Sequence, residues 1–127
     1  MLDFEQFREP LPDGCPPTDA WVIQHELFVF RFVKYDPPNE IDFESHQARG
    51  VAKPTVCPCR SRGLSVFATE DRKALLQKLP FFKKKKFCRI RLEQGAGRLL
   101  QTSEPPHHTW WPFAGYDILA NCEVLDS

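Results

Sequence analysis

An arginine interrupts an almost unbroken run of aromatic and β-branched residues in the stretch 26–35, which reads E-L-F-V-F-R-F-V-K-Y. Alternation at strand period places Arg31 on the same face as Val29 and Val33, with the phenylalanines on the opposite face: Phe28, Phe30 and Phe32. This pattern is typical of a central strand covered on both sides. A guanidinium keeps its charge, so a buried Arg31 must meet a carboxylate, a group of carbonyls or a bound anion. Arg31 therefore predicts an anion-binding or nucleotide-binding cleft, with a buried salt bridge to Glu123 or a place at a barrel rim as alternatives.

A second candidate is the segment 57–63, C-P-C-R-S-R-G, which lies directly before a predicted strand. Arg60 and Arg62, with a serine and a glycine beside them, favour a loop that holds a phosphate, although the spacing matches no P-loop. The alternative is a basic loop with two ordinary thiols. A zinc site at Cys57 and Cys59 would need histidines from distant segments, and the spacing is not that of a zinc knuckle, so we expect no metal.

The segment 105–112, P-P-H-H-T-W-W-P, is predicted to be a loop that is rich in aromatic residues. His108 is a candidate for acid and base catalysis, while His107 could bond to a ligand and Trp110 could stack on a base or a nicotinamide ring. The alternative interpretation places the tryptophans in the core and leaves the histidines in solvent.

The basic residues of the chain are concentrated in its middle. Residues 53–101 hold thirteen bases and three acids, whereas residues 1–52 hold four bases and ten acids, and the whole chain has a formal net charge of zero. The basic block could pair with the acidic ends, or it could bind nucleic acid or an acidic protein. Its densest part is a run of four lysines, which is either a solvated edge or an electrostatic track: Lys83, Lys84, Lys85 and Lys86.

Length and composition predict one domain. A chain of 127 residues with 42% hydrophobic residues suffices for one core, so we expect an irregular N-terminal arm over residues 1–20 and a single globular domain over residues 21–127. Neither a membrane span nor a basic leader is apparent, which predicts a cytoplasmic protein that does not contact membranes. Five cysteines without an export signal predict free thiols, mostly buried, rather than disulfides.

The predicted elements are five strands and one helix. The strands cover residues 21–35, 64–68, 87–92, 98–102 and 121–125, and a long connection without a clear period covers residues 39–63. The main helix is expected over about residues 70–79, because Thr69 can cap it and Pro80 stops it. These elements predict an α+β fold in which a bent or split mixed sheet is joined by long loops.

The order of these features resembles the ADP-ribosyltransferase-like superfamily, including bacterial toxins of the RES type. The resemblance covers residues 26–125 and depends on V-F-R-F-V in the first strand, on G-L-S-V-F-A-T and on a late glutamate. It implies that Arg31 holds the phosphates of NAD, that Ser65 supports the nicotinamide ribose, and that Glu123 stabilises an oxocarbenium-like transition state. The chain departs from the superfamily pattern because it has no Ser-Thr-Ser triplet and no Glu-x-Glu pair at its end.

Two functions are therefore expected. The first is binding of NAD or another nucleotide, with ADP-ribosyltransferase or NAD-glycohydrolase chemistry, in a cleft formed by Arg31, residues 57–65 and residues 107–111. The second is a non-catalytic module that uses the basic region 53–101 to bind nucleic acid or an acidic protein partner.

Overall fold

The computed structural model describes residues 6–70, 73–80, 84–102 and 107–125. Seven strands form one sheet in the order β1-β5-β6-β3-β2-β4-β7, and every pairing between neighbours is antiparallel. The strands are β1 Trp21–Val22, β2 Leu27–Val33, β3 Leu64–Phe67, β4 Lys86–Leu92, β5 Gly97–Gln101, β6 His107–Pro112 and β7 Cys122–Leu125.

Helices are few and short. The two α-helices are α1 Pro58–Ser61 and α2 Lys73–Gln77, and 3-10 turns occupy Glu40–Phe43 and Leu119–Asn121. The fold is thus mostly β, and the prediction of a main helix over about residues 70–79 is wrong in length. The predicted mixed sheet is also wrong, because no parallel pair occurs among the described strands. No helix in the described part of the chain is long and apolar enough to cross a membrane.

The sheet is nearly split between β3 and β2, the fourth and fifth strands in its order. β2 pairs with β4 along its whole length, from Leu27 opposite Leu92 to Val33 opposite Lys86. On its other side β2 meets β3 only where Phe30 lies opposite Phe67. Beyond this pair the two backbones leave each other's hydrogen-bonding range, and the cleft described below is situated there.

Hydrophobic residues cover both faces of the central strands, as their alternation predicts. One face carries the main core, to which β2, β3 and β4 contribute Val29, Val66 and Ile90, all fully buried. The other face carries a smaller cluster in which the ring of Phe87 contacts the rings of Phe30 and Phe32. Because both faces are covered, a charged side chain on β2 can remain there only with polar partners close by.

The segment 107–112 is a strand and not the predicted loop. β6 lies between β3 and β5, and its two tryptophans are fully buried: Trp110 and Trp111. The high strand propensity of threonine and tryptophan prevails over the two prolines that precede the segment. The predicted strand over residues 21–35 is likewise interrupted, because residues 23–26 separate β1 from β2.

A disulfide ties the N-terminal arm to the rest of the protein, so the prediction of free thiols rather than disulfides is wrong for two of the five cysteines. Cys15 and Cys59 are bonded, and their Cα atoms lie 5.5 Å apart. Cys57 is an exposed free thiol, whereas Cys88 is buried and Cys122 is half-buried. The arm also pairs with the end of β6 through hydrogen bonds of its backbone, including Arg8 N to Pro112 O at 2.9 Å.

Gly97→Ala is expected to lower the free energy of unfolding by roughly 2–4 kcal/mol, as read from a urea titration. Gly97 has a φ of +127°, and a Cβ atom added there would lie 2.2 Å from the backbone oxygen of Trp111. Gly95→Ala is the matched control, because Gly95 also has a positive φ, +94°, but nothing lies within 4 Å of its added Cβ. Equal losses in the two variants would contradict the steric explanation.

Candidate functional site

A cleft lies beside the split between β2 and β3. It has two adjacent lobes, of about 200 Å³ and about 150 Å³, which share Arg31, His46 and Ser65. Together the lobes reach the lower end of the range of roughly 300–1,000 Å³ that is typical of small-molecule sites. The larger one, the Arg60 lobe, is also lined by Ser45, Val56, Arg60, Ser61, Gly63, His107 and Thr109. The smaller one, the Lys85 lobe, is also lined by Phe32, Arg49, Phe67 and Lys85.

Arg31 occupies the gap between the separated strands. Its Nη1 donates to the backbone oxygen of Ser65 on β3 at 2.7 Å, and its Nε donates to the backbone oxygen of Asp42 at 3.0 Å. The sequence required a carboxylate, a group of carbonyls or a bound anion beside Arg31. The structure shows two backbone carbonyls in that position. These bonds to described residues use two of the five N–H groups of a guanidinium, which leaves further donors for a ligand in either lobe.

Other cations surround Arg31 in the Lys85 lobe. Burial, followed by the charge of Arg49, lowers the pKa of Arg31 to about 10. Burial and the charges of Arg49 and Arg31 also lower the pKa of Lys85. The pKa of His46 falls below its usual 6.5, because burial and the charges of Arg31 and Arg49 disfavour the imidazolium. A cluster of like charges that depress one another's pKa is stabilised when an anion binds among them.

Two carboxylates act on Arg31 electrostatically, but both are engaged by backbone amides. Asp42 accepts hydrogen bonds from the amides of Lys34 at 2.6 Å and Asn39 at 3.1 Å. Glu9, from the N-terminal arm, accepts one from the amide of Ser45 at 2.9 Å. Neither acid is among the described residues that line the cleft, so the lining carries a net positive charge.

The segment 57–63 forms one wall of the Arg60 lobe. The indole Nε1 of Trp111 donates to the backbone oxygen of Cys59 at 3.0 Å, which fixes the segment on β6. Gly63 allows a close approach there, since an added Cβ would lie 2.3 Å from Cγ2 of Thr109. Arg60 lines the lobe, as predicted from the sequence. Arg62 does not, because its Nη1 turns back to the oxygen of Pro58 at 3.1 Å.

Ser65 and His107 form a pair of polar side chains in the Arg60 lobe. Ser65 lies opposite Thr109 in the pairing of β3 with β6, and His107 lies opposite Phe67, so the two residues are diagonal neighbours on one face. The Oγ of Ser65 is hydrogen-bonded to Nε2 of His107. Burial and the charge of Arg60 lower the pKa of His107, so its ring is neutral at pH 7.

Three residues expected at the site are not among those that line the cleft. Trp110 is fully buried, and its Nε1 donates to the oxygen of Ala96 at 2.9 Å, so its ring has no open face. His108 lies opposite Val66, one position away from His107 along β6. Glu123 lies on β7 and pairs with Arg89, so the alternative of a salt bridge between Arg31 and Glu123 is wrong.

The lysine run divides at the start of β4. Lys85 lines the cleft, Lys84 and Lys86 are exposed, and Lys83 lies outside the described residues. Within the described part of the chain, no group of three or more His, Cys, Asp or Glu residues is arranged to hold a metal ion. Cys59 is bonded to Cys15, so the Cys57 and Cys59 pair considered as zinc ligands does not present two free thiols.

Sequence reasoning did not place Arg49, His46 or Lys85 in the cleft. His46 and Arg49 come from the turn after the 3-10 helix Glu40–Phe43, inside the connection that showed no period. Lys85 was considered only as part of a surface run. A usable signal was the presence of His46 and Arg49, three positions apart, in the long polar connection 39–63. Binding residues are often found in long loops of this kind.

Comparison of the chain with protein-family models, with curated proteins and with solved structures finds no match. The resemblance to the ADP-ribosyltransferase-like superfamily is therefore still an expectation from the sequence. The candidate site is defined by its own geometry: a cleft at a split in the sheet, with Arg31 between two cation-lined lobes and a bonded Ser65 and His107 pair on one wall.

Proposed function

We propose that this protein binds a nucleotide that carries two phosphate groups, of the NAD type, in the cleft between β2 and β3. The observation that carries the proposal is the position of Arg31 between two lobes that each contain another arginine, Arg60 in one and Arg49 in the other. Two linked phosphates could share the central guanidinium and each meet one of the outer cations. Arginine suits this role because its planar donors match phosphate oxygens.

The repulsion among the cations of the cleft supports the same proposal. Burial, followed by the charges of Arg31 and Arg49, lowers the pKa of Lys85 and of His46, so the free protein holds Arg31, Arg49 and Lys85 together at a cost in free energy. A dianionic ligand would remove that cost on binding. Asp42 and Glu9 offset part of this repulsion, but both also accept hydrogen bonds from backbone amides and neither lines the cleft.

Arg60→Ala is expected to weaken NAD binding about tenfold in a calorimetric titration, the effect of losing roughly 1.4 kcal/mol of charge-assisted hydrogen bonding. Arg62→Ala is the matched control, since it removes the same charge from the same segment but from a side chain bonded to Pro58. We expect it to change affinity less than twofold. A larger effect of Arg62 than of Arg60 would contradict the proposed binding mode.

The affinity for NAD is expected to rise about fivefold as the pH falls from 8 to 5.5, the effect of about 1 kcal/mol. His46 and His107 are neutral at pH 7 because burial and nearby cations lower the pKa of each. A bound dianion favours the imidazolium form, so each ring that gains a proton strengthens binding. The dependence should disappear in the variant with both His46→Gln and His107→Gln and should persist in His25→Gln, an exposed site outside the cleft.

Glycosyl transfer from NAD would require a carboxylate at the anomeric carbon. In the resemblance that role belongs to Glu123, which lies on β7 with Arg89, two strands away from Arg31. We therefore limit the proposal to binding. Incubation with NAD and measurement of released nicotinamide tests the catalytic extension, and release that persists in Glu123→Gln would rule out the role that the resemblance gives to Glu123.

The second candidate function is binding of nucleic acid or an acidic protein by the basic region. Lys84 and Lys86 are exposed on either side of Lys85, which favours a surface interaction. Salt distinguishes the two functions, because binding through surface lysines weakens steeply between 50 and 200 mM salt, by about 10³-fold where many phosphates are contacted, while a partly enclosed site is screened less. Binding of a labelled oligonucleotide should also be lost in the Lys84→Ala, Lys86→Ala double variant, which should leave NAD affinity unchanged.

A further inference from the structure

Ser65 has the environment of an activated hydroxyl. It is exposed at the floor of the cleft, and its Oγ is hydrogen-bonded to Nε2 of His107 on the neighbouring strand. Strands hold both residues, so the pair is positioned more rigidly than a pair on loops would be. A hydroxyl bonded to a neutral imidazole is the arrangement from which serine nucleophiles react.

The other ring nitrogen of His107 also has a partner. Its Nδ1 lies 3.3 Å from Oγ1 of Thr102, and that hydroxyl lies 2.7 Å from Oγ1 of Thr109. One arrangement of the protons activates Ser65. In it, Nδ1–H of His107 donates to Oγ1 of Thr102, and the Thr102 hydroxyl donates to Oγ1 of Thr109. Nε2 then has its lone pair directed at the hydroxyl of Ser65. Serine nucleophiles commonly have a base and a third residue that orients the base. In this protein the third residue is Thr102.

We propose that Ser65 is a nucleophile for phosphoryl transfer, with His107 as its general base and Thr102 as the residue that positions the imidazole. This inference depends on the proposed function, because the same cleft must first bind a phosphate ester. Nε2 of His107 takes the hydroxyl proton while Oγ forms a bond to phosphorus. The bond from phosphorus to the leaving oxygen breaks, and that oxygen receives the proton from Nε2. Water then attacks phosphorus, displaces Oγ, and returns a proton to it through His107.

The charges around Ser65 favour phosphorus over an acyl carbon as the electrophile. Nη1 of Arg31 is bonded to the carbonyl of Ser65, and Arg60 lines the same lobe. Two guanidiniums beside the nucleophile suit a transition state that spreads negative charge over three phosphoryl oxygens. The substrate class is accordingly a phosphodiester or a phosphoanhydride, which agrees with a ligand that has two linked phosphates.

Bis(4-nitrophenyl) phosphate is the probe that tests this proposal. The wild-type protein should release up to one equivalent of 4-nitrophenolate in an initial burst and gain the mass of one 4-nitrophenyl phosphoryl group, located on Ser65 by peptide mapping. Ser65→Ala should show neither, while a cooperative transition in a urea titration demonstrates that it is folded. Thr18→Ala, which removes an exposed hydroxyl outside the cleft, should react like the wild type.

The pH dependence separates a catalytic base from a structural histidine. The burst rate of the wild type should increase with pH and reach half of its maximum below pH 6.5, where His107 loses its proton. His107→Gln should react about 10²-fold to 10⁴-fold more slowly, which is the usual contribution of a general base. Its burst rate should also lack the rise with pH that His107 causes in the wild type, here called the pH limb. Thr102→Val should slow the burst and keep the limb, as expected of a positioning residue.

Two results would overturn the proposal. If the wild type binds NAD but forms no adduct with the probe, Ser65 is not a nucleophile and the binding function stands. If Ser65→Ala is modified as readily as the wild type, the reaction takes place at another residue. Failure of the wild type to bind NAD would refute the binding function separately, since adduct formation is read by mass and does not depend on that titration.

Discussion

Arg31→Ala is expected to reduce NAD affinity at least 100-fold and to lower the free energy of unfolding by about 2–4 kcal/mol. Arg31 contributes to binding in both lobes of the cleft, so its loss removes charge-assisted hydrogen bonds to both phosphates. It also leaves the backbone oxygens of Ser65 and Asp42 without their guanidinium donor at the split in the sheet. Relief of repulsion with Arg49 offsets part of the loss in stability but none of the loss in binding.

The measurements are a calorimetric NAD titration and a urea titration on each variant. Lys84→Ala is the control for charge, because Lys84 is exposed and does not line the cleft, and it should change both quantities little. Arg31→Lys retains the charge but not the planar fork, so it cannot donate to both carbonyls in the same geometry. We expect an intermediate loss in both titrations. Equal and negligible effects of Arg31→Ala and Lys84→Ala would refute the central role of Arg31.

The strands were the most predictable part of the fold, because alternation and β-branched composition report burial directly. Residues 87–92 illustrate this, since Cys88, Ile90 and Leu92 are buried in β4 as their alternation predicts. The helix was less predictable. Its Thr69 cap and Pro80 stop predict about ten residues, whereas α2 covers Lys73–Gln77 in the described part of the chain, because tertiary packing and not propensity decides the length of a short helix.

The position of the cleft could be predicted in part. A charge within a hydrophobic strand requires polar surroundings in any fold. Arg31 could therefore be recognised from the sequence alone as a candidate site residue. The other cations near Arg31, and the true partner of Glu123, could not be identified in the same way. Arg49 and Lys85 reach it from segments far apart in sequence, and Glu123 is paired with Arg89 by the register between β4 and β7. Contacts of this kind depend on register and on turns, which a single sequence does not specify.

The disulfide was unpredictable for a related reason. Two cysteines can be bonded only when their Cα atoms come within about 7 Å, and 44 positions separate Cys15 from Cys59 along the chain. The spacing of the cysteines in the sequence does not predict the distance between the Cα atoms of Cys15 and Cys59. That distance depends on the pairing of the N-terminal arm with β6. The odd number of cysteines favoured free thiols, yet three free thiols accompany one bonded pair.

Cys15→Ser is expected to lower the free energy of unfolding by about 4 kcal/mol, the loop-closure estimate for a crosslink across 44 positions. The variant should also bind NAD several-fold more weakly. Cys59 belongs to the segment 57–63, which forms a wall of the Arg60 lobe, and its carbonyl is held by Trp111, so release of the arm removes one restraint on that wall. Urea titration and NAD titration of the oxidised proteins measure the two effects.

Reductant provides the matched comparison within one protein. The wild type should lose stability on reduction, to about the level of Cys15→Ser, whereas Cys15→Ser itself should not respond. Cys57→Ser removes an exposed free thiol two positions from Cys59 and should behave as the wild type in both redox states. Equal stability of the oxidised and reduced wild type would mean that Glu9 and Arg8, which bond to Ser45 and to Glu40, hold the arm in place without the crosslink. In that case NAD affinity should also be independent of reduction, because the same contacts would keep the wall of the Arg60 lobe in position.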